Sequence, residues 1–157
     1  MKFSEMTYTR PDPAASKQQL SALTEALRSA KSYEEAHKVF LSQQELMSHI
    51  STAAALASIR HSIDTRDTFY DGEEKFWNSF YPELQEYTQQ WTRAMLESPF
   101  RADFEQEFGD LLFVNAEIAL KTFSPAIIPE MQQENELTQE YEKLLASAQI
   151  PFEGKTY

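Results

Sequence analysis

The sequence predicts an all-α fold: an elongated bundle of about five helices with long helical hairpins, ending in the start of a β-hairpin. Three observations carry this reading. Only three glycines occur among 157 residues, and clusters of turn-forming residues are few, which disfavours many short strands. No proline or glycine interrupts the chain between Ser32 and Gly72. Within that run the apolar residues recur mostly at steps of three, four or seven, which is the period of one helix face.

The elements follow in order. Asp12-Pro13 reads as an N-cap followed by proline at the first helical position. Leu20, Leu23 and Leu27 then mark a first helix that should end near Lys31. Ser32-Tyr33-Glu34-Glu35 is a capping box, in which Ser32 accepts from the third amide and Glu35 reaches back. The helix it opens carries Tyr33, Ala36, Phe40, Met47, Ile50, Ala54, Ala57 and Ile59 on one stripe. Spanning 33 to about 62, it would be about 45 Å long. A compact domain of this size is only about 40 Å across, so the predicted shape is elongated.

Asp64-Thr65-Arg66-Asp67 breaks the pattern with cap-type residues. The next helix holds an aromatic stripe, with Phe69, Tyr70, Phe76, Trp77, Phe80, Tyr81, Tyr87 and Trp91. Pro82 should kink or split it, and Ser98-Pro99 should end it. The stripe reads first as core, since large rings dominate core burial; the sharper alternative is a groove for a peptide or another domain. A fourth helix runs through Phe104, Phe108, Leu111, Leu112, Ile118 and Thr122, with Gly109 its weak point and Ser124-Pro125 its stop. Pro129 can start a fifth, with Met131, Leu137, Tyr141, Leu144, Leu145 and Ala148. Residues 150–157 read as an incomplete hairpin: Ile150-Pro151-Phe152 is extended, Glu153-Gly154-Lys155 turns, and Thr156-Tyr157 would open a returning strand. A two-stranded hairpin alone is marginal in water, so the polypeptide is expected to continue.

Composition bounds the function. Apolar residues make up 41% and charged residues 25%, enough for a single core over 1–157 in one domain. There is no cysteine, which removes disulfides and thiolate chemistry together. The first ten residues have no signal-peptide core, and no stretch nears the roughly 20 apolar residues of a membrane helix. A cytoplasmic protein without membrane contact is expected. The net charge of −11 is uneven: residues 1–66 hold eight Lys/Arg against seven Asp/Glu, and residues 67–157 six against eighteen. That distribution argues against nucleic acid, whose phosphates need a basic face. It permits a basic partner surface.

No catalytic, cofactor-binding or metal-binding residue is assigned. The histidines are His37, His49 and His61, and no His-Glu-x-x-His occurs. Glu34-x-x-His37 has the spacing of one half of a di-iron bundle site, but no second copy exists. Glu45 and His49 sit at i, i+4 and can pair. His61, Asp64 and Asp67 cluster after the long helix, where a histidine favours the helix C-terminus. No Gly-x-Ser-x-Gly, Gly-x-Gly-x-x-Gly or Walker loop is present.

Several stretches together carry a resemblance. They are Lys2-Phe-Ser-Glu-Met-Thr-Tyr8, Ala57-Ser-Ile-Arg-His-Ser-Ile-Asp-Thr-Arg-Asp-Thr-Phe-Tyr70, Leu96-Glu-Ser-Pro-Phe-Arg101, Leu120-Lys-Thr-Phe-Ser-Pro125, Glu134-Asn-Glu-Leu-Thr-Gln-Glu-Tyr141 and Phe152-Glu-Gly-Lys-Thr-Tyr157. In this order and spacing the chain resembles the N-terminal region of oligoendopeptidase F-type zinc peptidases, in the thimet oligopeptidase superfamily. The resemblance spans essentially the whole chain. It implies a helical N-terminal lobe that walls one side of a cleft for short peptides. It also implies zinc only in the C-terminal part, on a His-Glu-x-x-His helix with a downstream glutamate, none of which matches a position here. The expected partners are then the remainder of the peptidase chain and short peptides. An apolar face should be bared, with self-association through it. The rival expectations are a stand-alone helical interaction module and a di-iron carboxylate bundle.

Overall fold

The computed structural model describes residues 3–156 and is all-α apart from one short ladder near its end. Six helices form: α1 (Pro13–Ser29), α2 (Tyr33–Ile63), α3 (Thr68–Leu96), α4 (Arg101–Phe108), α5 (Leu111–Thr122) and α6 (Ile128–Ala146). Single 3-10 turns cover Phe3–Glu5 and Pro125–Ile127. Two antiparallel strands, β1 (Pro151–Phe152) and β2 (Lys155–Thr156), close a tight hairpin over Glu153 and Gly154. Tyr157, expected to open the returning strand with Thr156, lies outside the described residues.

Local chemistry sets most boundaries. The Asp12 carboxylate accepts from the Ala15 amide at 2.7 Å and starts α1 beside Pro13. The Ser32 hydroxyl accepts from the Glu35 amide at 3.2 Å. Glu35 reaches back one residue further than a standard capping box and accepts from the Lys31 amide at 2.9 Å. That contact draws Lys31 out of α1, which ends at Ser29 with Ala30 extended. Asp67 starts α3 by accepting from the amides of Phe69 and Tyr70. Gly109 adopts φ 84°, a left-handed conformation costly for other residues, and divides the expected fourth helix into α4 and α5.

α2 and α3 form the long antiparallel hairpin. Arg60 donates to the Tyr70 hydroxyl near the turn, and Phe40 lies with Trp91 and Met95 at the far end. At 31 residues, α2 is about 45 Å long. α1 packs on both helices, and α3 also receives α5 and α6. The core is one apolar cluster that includes Leu20, Leu27, Phe40, Ile50, Trp77, Leu84, Trp91 and Met95, with Phe104 and Phe113 added from α4 and α5. The aromatic stripe of α3 is thus mainly core; Phe69, at its start, is exposed. Ile59, expected on the inner stripe of α2, is exposed too, while Leu56 and His61 turn inward.

Two stripes turn largely away from the core. Leu111 and Ile118 of α5 are exposed, and Phe113 is its one buried residue. In α6 the apolar residues Leu137, Tyr141, Leu144 and Leu145 are all more than half exposed, and the single buried residue is Gln139.

The segment before α1 is tied down by a buried carboxylate. Glu73 of α3 is 4% exposed. Arg10 grips it with two donors, Nε at 2.8 Å and Nη2, and the Tyr8 hydroxyl donates to it as well. Trp77 Nε1 donates in turn to the Tyr8 oxygen at 3.2 Å, and the Arg10 guanidinium lies over the Phe76 ring. A buried charge is tolerated only when paired and hydrogen-bonded. Tyr8→Phe removes one donor and leaves the ring. The expected loss is about 1.5–3 kcal/mol, that of a hydrogen bond to a charged group. Thermal unfolding should show a midpoint lower by about 3–12 °C; an unchanged midpoint would deny Glu73 this role.

Candidate functional site

The groove between α2, α3 and α6 encloses about 420 Å³. It starts from Pro82. A proline inside a helix has no amide to donate to the carbonyl four residues earlier. That carbonyl belongs to Asn78, and α3 nonetheless runs unbroken from Thr68 to Leu96. The expected split does not occur, and α6 supplies the reason. Asn135 Nδ2 donates to the Asn78 carbonyl at 3.2 Å. Gln132 Nε2 donates to the next carbonyl, Ser79, at 2.9 Å. The part-buried Asn78 carbonyl thus regains a partner, and the exposed Ser79 carbonyl gains one beside it, both from side chains of a neighbouring helix.

The same face of α6 continues the clamp. Gln139 accepts from the Asn78 side-chain amide at 3.1 Å and donates to Asp71 at 3.1 Å. Lys143 pairs with Asp71, which also takes Lys75 at 2.9 Å. The hydrogen bond from Lys143, with a smaller one from Lys75, holds the Asp71 carboxyl below its ordinary value against the pull of burial. Met131, Gln132, Asn135, Gln139 and Lys143 all lie on the inner stripe of α6, and four of the five are polar.

Beneath the clamp sit two unsatisfied groups. His61 is 1% exposed, and its Nε2 has no hydrogen-bond partner. Asp71 Oδ1 is 3.6 Å away, beyond hydrogen-bond range. Glu74 Oε2 is buried without a partner. Burial raises the Glu74 carboxyl above its ordinary value, opposed by the nearby His61 and reinforced by Glu142. His61 therefore faces Asp71 and Glu74 of α3 rather than serving only the end of its own helix. Asp64 and Asp67 do not join it: Asp64 accepts from the Arg66 backbone and guanidinium, and Asp67 caps α3.

The other sequence candidates also separate. Glu34 pairs with Lys38, while His37 points to Glu107 at 3.1 Å and stacks on Phe108. Glu45 and His49 are both exposed and form no ion pair with each other. No group of three or more His, Cys, Asp or Glu side chains able to hold a metal ion occurs among the described residues. No single helix among them is long and apolar enough to cross a membrane. The groove presents the apolar surfaces of Trp77 and Tyr81. The His61 imidazole, 1% exposed, is closed to an incoming substrate.

Glu74 gives the groove a pH signature. Its folded-state value is raised, so its contribution to stability is complete below about pH 4.5 and is lost as pH rises through the raised value. Glu74→Gln mimics the protonated form. The variant should unfold at a higher temperature than the parent at pH 7, with the advantage vanishing towards pH 4. A destabilised variant at pH 7 would contradict this account.

Comparison with known proteins places the chain. The family model described as Peptidase M3 N-terminal domain matches residues 3–123. Among solved structures, a protein assigned as oligoendopeptidase F superposes with a TM-score of 0.96 at 42% identity, over 100% of this chain and 28% of that one. A second, from Bacillus anthracis str. Ames, gives 0.95 at 38% identity, over 99% and 29%. PZ peptidase A with an inhibitor gives 0.95 at 39% identity, over 99% and 28%. No curated protein sequence matches. The chain thus spans less than a third of the length of the structures it resembles. With the family model covering most of its residues, the chain belongs to the peptidase M3 N-terminal domain family.

Proposed function

We propose that the chain serves as the N-terminal lobe of a zinc-dependent oligoendopeptidase, where it walls one side of the cleft that admits short peptides. The observation that carries this reading is the superposition of the entire chain on part of an oligoendopeptidase F, at a TM-score of 0.96 and 42% identity.

The chemistry assigned to such an enzyme is addition of water across a peptide bond. The side chains here do not fit a zinc site, since no suitable group of ligands converges among the described residues. In this reading, zinc and the groups that move protons belong to polypeptide outside these 157 residues. The contribution of this chain is geometric. A stiff α2–α3 hairpin about 45 Å long makes a wall that does not collapse, and a narrow cleft selects short, flexible peptides by excluding folded ones. The second reading, a stand-alone interaction module, draws on the exposed apolar stripe of α6.

A fluorogenic oligopeptide separates the two. A longer polypeptide that carries this chain together with a His-Glu-x-x-His helix should cleave it, and EDTA should stop the cleavage. The 157-residue chain alone should leave it intact. EDTA-sensitive hydrolysis by the pure 157-residue chain would refute the reading. A gene with no such continuation would favour the interaction module.

A further inference from the structure

We infer that the outer face of α6 is a docking surface for the remainder of a longer peptidase polypeptide, seated by Leu137, Tyr141, Leu144 and Leu145. The inference rests on the oligoendopeptidase reading and assigns the lobe's partner a place on it.

The argument begins with the orientation of α6. At about 100° per residue, the centres of its inner and outer stripes lie roughly 160° apart. The inner stripe holds the amide clamp of Gln132, Asn135 and Gln139. The outer stripe holds the four large apolar residues, each more than half exposed. A helix that exposes its apolar face and buries its polar one reverses the arrangement water favours. The reversal is not a result of loose placement. The clamp is specific, because Asn135 answers the carbonyl that Pro82 leaves open and Gln132 answers the next one. The outward direction of the stripe is therefore built into the packing.

Size and charge select the occupant. The structures that match the whole of this chain are more than three times its length, since it covers only 28–29% of them. A polypeptide of that length has ample surface to place against α6. On the outer face, the groove of about 510 Å³ that includes Leu137 and Tyr141 also includes Glu130 and Glu134. A complementary surface would be apolar with lysine or arginine at its rim. A second copy of this chain is a poor match, because residues 67–157 hold eighteen acidic groups against six basic ones and two such faces repel.

Thiol labelling tests the surface. The chain has no cysteine, so Leu144→Cys introduces a single thiol at an exposed position, and Lys38→Cys on α2, where the side chain is 72% exposed, serves as reference. In the dilute 157-residue chain, both should react with a maleimide at similar rates. In the longer polypeptide, the thiol at 144 should react at least about tenfold more slowly, with the reference unchanged, as read by mass spectrometry of the peptide spanning each site. Equal rates at 144 in the two proteins would overturn the inference. So would protection in the 157-residue chain that fades on dilution, which would assign the face to a second copy. Peptide cleavage by the same samples keeps the two claims apart. Cleavage with fast labelling sinks the docking surface alone, and slow labelling without cleavage sinks the peptidase reading alone.

Discussion

Pro82 is the constraint on which the arrangement of the later helices depends. It lies in the middle of α3, the helix against which α1, α2, α5 and α6 all pack, and its ring is fully buried. A proline in a helix interior costs roughly 3 kcal/mol relative to alanine, partly because the carbonyl four residues back loses its partner. Here that carbonyl and its neighbour accept from Asn135 and Gln132. The helix is not split there, and a second helix replaces the missing donor. The replacement has a directional consequence. α6 must turn amides inward, so its leucines and Tyr141 must turn outward. The apolar face on this side of the molecule thus follows from one missing N–H.

Two neighbouring carboxylates on α3 show how completely surroundings decide the behaviour of like groups. Glu73 points to the segment before α1, where the hydrogen bond from Arg10 outweighs burial and holds its carboxyl below the ordinary value. Tyr8, donating to the same carboxylate, is pushed up to about 12, chiefly by burial. Glu74 points to α2 and α6, where burial dominates and holds its carboxyl above the ordinary value. The pair therefore responds to acid in opposite senses. Glu73 and Asp71 lend stability above about pH 4 and lose it as pH falls through their lowered values, while Glu74 strains the fold as it ionises. The α6 side of α3 carries the strained member, near a buried imidazole of α2, His61, that has no hydrogen-bond partner at Nε2.

Features decided within a few residues were legible from the sequence. The Ser32 cap, the Asp12-Pro13 start, the cap-type residues at 64–67 and the weak point at Gly109 each depend on local backbone chemistry and hold in the structure, where Gly109 goes further and ends a helix. The aromatic stripe of α3 was also legible as core, because so much ring surface must leave water somewhere. Direction was not legible. Periodicity shows that Leu137, Tyr141 and Leu144 share one face of a helix, but it does not say whether that face meets this core or another surface. Nor could it show that Gln139, a polar residue, would be the buried one, since its partners Asn78 and Asp71 lie more than 60 residues earlier. His61 does sit in the last turn of its helix, as read, but its neighbours were not legible for the same reason: the groups that face it arise on α3, after the turn. The one available signal was Pro82, which announced an open carbonyl without naming its donor.

The chain divides its tasks along its length. α1, α2 and the inner stripe of α3 bury one another and hold most of the core residues. α5 and α6 each contribute a single buried side chain, Phe113 and Gln139, and leave Leu111, Val114, Ile118, Leu137, Tyr141, Leu144 and Leu145 exposed. Residues 67–157 also carry all of the excess negative charge, since residues 1–66 hold eight basic groups against seven acidic ones. A segment built only for its own stability would bury those leucines, since each fully buried one contributes roughly 1.5–3 kcal/mol. Their exposure on a helix held firmly by amides is what a lobe that supports neighbouring structure would show. Stiffness comes from the first three helices, and the last two offer a fixed surface on which more polypeptide can rest.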